Sequence, residues 1–150
     1  MAKLVLMDID GVLSPLAAVP GDPLVVRSDW ATWAIKKSIA EWFCGLTDKV
    51  DVMWASTWQA EIAALDEALG IKLPFLEFDQ HHHDDEWFKT ARIRQLLEGT
   101  EYEKVVWVDD EAPADLADEF PELEIVVPNS ANGLNLHNVL QIHIALEIAP

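Results

Sequence analysis

One stretch constrains this chain more than any other: Leu4-Val5-Leu6-Met7-Asp8-Ile9-Asp10-Gly11-Val12-Leu13. An apolar run delivers two acids, one residue apart, and then a glycine. The continuity of Leu4 to Met7 suits a strand buried on both faces, as in a parallel sheet. Ligands of such sheets bind beyond the carboxyl ends of the strands, where Asp8 emerges. Gly11 lets the chain turn sharply, with no Cβ in the way. Two carboxylates so close are costly to bury unpaired, so the strand end implies either a cation or solvent around them.

Composition narrows the class. With 150 residues, half of them apolar and seven of them Trp, the chain reads as a single folded domain over residues 1–150. No apolar run approaches the ~20 residues of a membrane span, and Met-Ala-Lys-Leu leads into a strand without a cleavable signal pattern. Cys44 is the only cysteine, which excludes a disulfide framework and a cysteine-based zinc site; it reads as a core thiol. These features predict a soluble, cytoplasmic protein with no membrane partner. The formal charge of -17 argues against strong binding to duplex nucleic acid. It leaves room for a small phosphorylated substrate, because a bound divalent cation reverses the field locally.

Further apolar runs at Val50–Ala55, Pro74–Phe78, Val105–Val108 and Glu124–Val127 predict four more strands, giving a five-stranded, mostly parallel sheet. Between them lie helical patterns. Ser38 and Glu41 have the spacing of a capping box, followed by an apolar stripe at Ile39, Trp42, Phe43 and Leu46. Ser56 and Thr57 stand where an N-cap is expected, Ile62, Leu65 and Leu69 share a face, and Gly70 is a stop. A third helix opens between Asp85 and Lys89 and ends before Gly99, and Pro113 suits the first turn of a short one. The last helix shows Leu136, Val139, Leu140 and Ile144 on one face. Residues 14–35 carry turn prolines and two short strand-like runs around Asp29, which reads as a projecting flap. Strands alternating with helices predict an α/β fold of three layers, with helices on both faces. One sheet edge then gathers Asp8, Asp10, Ser56 or Thr57, Asp109 and Asp110.

With those residues in view, the chain resembles the haloacid dehalogenase-like (HAD) hydrolase superfamily, which has a Rossmann-like fold. Asp8-Ile9-Asp10-Gly11-Val12-Leu13 matches its first motif, and the apolar strand ending in Ser56-Thr57 its second. Lys89 takes the place of the third, and Val105 to Asp110, apolar and then acidic, the fourth. The order of these matches is more specific than any one of them. The spacing between the first two motifs leaves room for a flap but not for a cap domain, as in small capless phosphatase-type members.

The resemblance implies a magnesium-dependent phosphatase with Asp8 as nucleophile, forming an aspartyl phosphate, and Asp10 as acid and base. Lys89 would neutralise the phosphoryl group, and Ser56, with Thr57 as its rival, would bind a phosphate oxygen. The Mg2+ ligands implied are the Asp8 carboxylate, the Asp10 backbone carbonyl and an acid of the fourth motif. Asp110 is favoured as that acid, with Asp109 beside it as ligand or outer partner. Asp115 is either a further outer partner or an exposed helix acid, and Arg92 and Arg94 are substitutes if Lys89 points away. Some related domains are fused to RNA-repair enzymes, which implies a nucleotide or a short nucleic-acid end as substrate. An oligomer is compatible with the open site of capless relatives.

Other features read more plainly. His81, His82 and His83 are adjacent and cannot all converge on one ion, so a solvated loop is expected. Trp30, Trp33 and Trp58 lie near the expected mouth, where stacking on a base and core packing compete as explanations. Trp42, Trp54 and Trp107 fall within periodic elements and read as core, and Glu111 as an exposed acid. The alternative to an enzyme is a catalytically silent HAD-like domain that binds a protein partner through its acidic face. A receiver-like domain phosphorylated on Asp shares the acid pair but not the Asp-Ile-Asp-Gly turn.

Overall fold

The computed structural model describes residues 2–78 and 86–150, so the three adjacent histidines, Gln80 and Asp85 lie outside the described residues. Its strands are β1 (Lys3–Met7), β2 (Leu24–Arg27), β3 (Thr32–Ile35), β4 (Asp51–Trp54), β5 (Lys104–Val108) and β6 (Leu123–Val126). Its α-helices are α1 (Lys37–Thr47), α2 (Ile62–Leu69), α3 (Phe88–Glu98) and α4 (Leu136–Leu146). No helix among these is long and apolar enough to cross a membrane.

The apolar runs form a parallel sheet in the order β4-β1-β5-β6. Side chains alternate across it, as strand geometry requires. Val5, Met7, Val106 and Val108 face a core filled by Phe43 and Leu46 of α1, Ile62 and Leu65 of α2, and Ile142 and Leu146 of α4. Leu4, Leu6, Val105 and Trp107 face the other side, against Ile93 and Leu97 of α3. This is the three-layer α/β arrangement that the strand–helix alternation predicts, and no cap domain appears among the described residues.

Several local expectations are corrected. The Pro74–Phe78 run does not make a fifth strand. It contributes one bridge, Phe75 to Trp54, with bonds from Trp54 N–H to the Pro74 carbonyl (2.9 Å) and from Leu76 N–H to the Trp54 carbonyl (2.8 Å). Pro74 has no N–H to donate, which limits pairing at this sheet edge. The β2–β3 hairpin pairs antiparallel around Asp29 as expected but does not project freely. Val26, Trp33 and Ile35 are buried in the core. Helix α1 starts after Lys36, with no side-chain cap, so Ser38 and Glu41 form no capping box. A capping box does open α4, from Asn135 and Asn138.

Helix α4 also turns the other way from its expected face. Asn138, Ile142, His143 and Leu146 are buried, while Leu136 and Ile144 are 73% and 76% exposed. Apolar residues occupy both sides of this helix, and polar contacts favour the second. Trp42 Nε1–H donates to His143 Nε2 (2.9 Å), and His143 Nδ1 lies 2.9 Å from the Ala149 carbonyl. Gly70 closes α2 in the left-handed conformation (φ 68°), as its position predicts.

Candidate active site

The register brings strand ends level: Met7 pairs with Trp54 on one side and Val108 on the other. The ladder continues one residue further. Asp8 N–H donates to the Val108 carbonyl (3.1 Å), Ala55 N–H to Met7 (2.8 Å) and Asp109 N–H to Val126 (3.2 Å). Asp8, Ala55 and Asp109 are thus anchored by sheet hydrogen bonds, which fixes their side chains at a common edge.

Lys89, the second residue of α3, reaches into this edge and is 5% exposed. Its ammonium donates to Asp109 Oδ2 (2.8 Å), the Ala55 carbonyl (3.0 Å) and Asp8 Oδ1 (3.2 Å), which uses all three of its protons. The Trp87 and Phe78 rings flank it at 5.5 and 5.7 Å. A buried lysine is costly unless paired, and here two carboxylates pair it.

Asp110 completes a group of three. One carboxylate oxygen each from Asp8, Asp109 and Asp110 lie within 4.8 Å of one another. Ser130 Oγ–H donates to Asp110 Oδ2 (2.8 Å), and Asp110 packs on Gly11 so closely that a Cβ there would lie 2.8 Å from its Cγ. Gly11 has φ 76°, so the turn and the approach of Asp110 both require glycine. Ser130 comes from the turn after β6. That turn is held against the first motif by bonds from Leu16 N–H to Ser130 (3.0 Å) and Leu134 N–H to Val12 (2.8 Å).

Three acids against one lysine leave two negative charges when all are ionised. Burial, reinforced by Asp109 and opposed by Lys89, pushes the Asp8 carboxyl up to about 8. Burial also raises Asp109. For Lys89, burial works to lower the pKa, but Asp8 and Asp109 outweigh it and the ammonium is held charged. More positive charge is needed to ionise the acids together, and an oxygen-only donor set suits a hard divalent cation such as magnesium.

Asp10 is not one of the three. Its side chain is exposed at the rim, where Oδ2 accepts Trp58 Nε1–H at 2.6 Å. Ser56 is buried and Thr57 exposed. Neither caps α2, which begins only after a 3-10 turn at Gln59–Glu61. Instead Ser56 Oγ accepts Trp58 N–H (3.3 Å). A cleft of 390 Å³ is lined by Asp8, Asp10, Ser56, Thr57, Lys89, Asp109 and Asp110, together with Leu16, Trp87, Phe88 and Glu111. Every residue singled out at the sheet edge in the sequence therefore lines one cleft.

Residues proposed as substitutes or outer partners lie elsewhere. Arg94 is engaged by Glu86 (2.7 Å) and Glu119 (3.1 Å), and Arg92 by the Glu77 carbonyl (3.1 Å). Arg94 and Asp115 line a neighbouring 490 Å³ cavity that shares Trp87 and Glu111 with the cleft. Trp54 and Trp107 are fully buried and Trp42 partly so. Trp33 is core rather than mouth, and Trp30 is 76% exposed beside Glu61 and Ala64, off the cleft. Sequence reasoning missed Ser130 and the Trp58–Asp10 bond. The polar run Asn129 to Gly133 signalled a turn, but nothing local indicated that it returns to Asp110.

Over residues 4–139 the chain matches the family described as "HAD domain in Swiss Army Knife RNA repair proteins". No curated protein and no solved structure matches it.

Proposed function

The chain belongs to the HAD domain family of Swiss Army Knife RNA repair proteins, and from that membership we propose that it is a magnesium-dependent phosphatase of phosphomonoesters, acting through an aspartyl phosphate on Asp8. The observation that carries this reading is the Lys89 ammonium held between Asp8 and Asp109, beside Asp110, at one sheet edge. Magnesium would be held by the Asp8 carboxylate, the Asp10 backbone carbonyl and Asp110, with Asp109 beside it, and would supply charge neutralisation for the phosphoryl oxygens.

The chain's own residues divide the work. An Asp8 oxygen attacks phosphorus, the bond to the leaving oxygen breaks, and Asp10 gives that oxygen a proton. Water then attacks the aspartyl phosphate, its proton passing to Asp10. The bond from phosphorus to Asp8 breaks, phosphate departs and the carboxylate is restored. Lys89 neutralises negative charge on the nucleophile and the phosphoryl group throughout. Ser56, with Thr57 at the cleft wall, donates to a phosphoryl oxygen.

The family's association with RNA repair supports a terminal phosphate on a nucleotide or short nucleic-acid end. The net charge of -17 disfavours a long duplex. The test is a panel of 5′- and 3′-phosphorylated nucleotides and short oligonucleotides, assayed with and without magnesium. Magnesium-dependent release of phosphate, lost in Asp8→Asn, is expected. Full activity in Asp8→Asn overturns the nucleophile. No turnover on the panel, with no magnesium-dependent thermal shift, favours a silent domain that binds a partner.

A further inference from the structure

We propose that Trp58 is the positioning residue for Asp10, and that the pair adapts this site to phosphate esters of aliphatic alcohols, whose oxygen leaves only when protonated; this rests on the phosphatase reading above. Trp58 Nε1–H donates to Asp10 Oδ2 at 2.6 Å across a separation of 48 residues. The indole is itself held. Its ring meets Trp33 edge-on (5.7 Å between centroids, 86° between planes), and Trp33 is 1% exposed. Its backbone N–H bonds Ser56 Oγ at 3.3 Å. An exposed aspartate otherwise has free rotamers, so this tie decides where its carboxylate sits.

The direction of the tie matters chemically. An indole N–H donates only, so Oδ2 is engaged as an acceptor and Oδ1 is the oxygen left free for the leaving group. In-line displacement puts the leaving oxygen on the side of phosphorus away from the nucleophile. Asp8, 7% exposed, forms the floor of the cleft, and the exposed Asp10 side chain stands at its rim. The leaving oxygen therefore emerges on the side where Asp10 is held. A phenolate or acyl leaving group needs no such donor; a sugar hydroxyl does.

The experiment compares kcat/KM for a nucleoside 5′-monophosphate and for p-nitrophenyl phosphate, both with magnesium, in the wild type, Trp58→Phe, Asp10→Asn and the double variant. Phenylalanine keeps a ring against Trp33 and removes only the donor. Loss of one hydrogen bond predicts a fall of about ten-fold on the nucleotide, with the nitrophenyl ester changed by less than about two-fold. In the Asp10→Asn background, Trp58→Phe is expected to cost nothing more on the nucleotide, because non-additivity marks action through a shared group. Equal losses on both substrates, no loss on either, or a further loss in the Asp10→Asn background would overturn the inference. A wild type inactive on both substrates would overturn the phosphatase reading itself, a separable outcome.

Discussion

Lys89→Met tests the electrostatic account of the centre most directly. Methionine keeps the apolar stem of the side chain, one atom shorter, but removes the charge. With both carboxylates ionised, the pairs at 2.8 and 3.2 Å are each worth roughly 5 to 6 kcal/mol before desolvation, at an effective dielectric near 20. Desolvation of the ions cancels much of that, so removing one partner of such a buried group costs about 3–5 kcal/mol. The full cost falls where Asp109, 1% exposed, stays ionised without its partner. It shrinks as the orphaned carboxylate takes up a proton, by about 1.4 kcal/mol per pH unit below its raised folded pKa and above its unfolded value. The variant should therefore fall further below the wild type at about pH 8 than at about pH 5. Urea unfolding followed by tryptophan fluorescence, in chelator at both pH values, measures this. A deficit that is the same at both pH values, or a variant as stable as the wild type at the higher one, refutes the reasoning.

Two further outcomes follow from the same geometry. Gly11→Ala must move Asp110, because the new Cβ would collide with its carboxylate in a backbone conformation that already disfavours alanine. We expect magnesium affinity, measured by calorimetry, to fall at least about ten-fold, with about 1–2 kcal/mol lost in stability; unchanged affinity contradicts the placement of Asp110. The Asp8 carboxyl, raised to about 8 from 3.8, stabilises the metal-free fold below its unfolded pKa and loses that contribution as pH rises towards about 8. On the proposed function magnesium would replace the proton, so its thermal stabilisation should be larger at about pH 8 than at about pH 5.5. An equal shift at both contradicts it.

The positions of Asp8, Ser56, Asp109 and Asp110 were legible because each closes an apolar run, and a buried parallel strand has few other ways to appear in sequence. Lys89 was legible through the family resemblance, as a lysine opening a helix upstream of the last acidic pair. What was lost depended on distant contacts. Pro74 sits in an apolar run yet cannot donate to a ladder, so composition suggested a strand that hydrogen bonding does not extend. The face of α4 was misjudged because Leu136, Leu140 and Ile144 have the same four-residue spacing as Asn138, Ile142 and Leu146. Ser130 and Trp58 belong to turns, and the partner of a turn residue is set by where the chain returns.

The centre is also an inventory of the fold's long crossings. Its floor takes one residue from each of three neighbouring strands, and its lysine lies 81 residues from Asp8 along the chain. No single hairpin or strand–helix–strand unit contains it. Non-local pairing of this sort forms late and slowly, so the centre is assembled only once β4, β1 and β5 have docked. Any phosphatase activity of the proposed kind that appears during refolding would therefore serve as a clock for their docking.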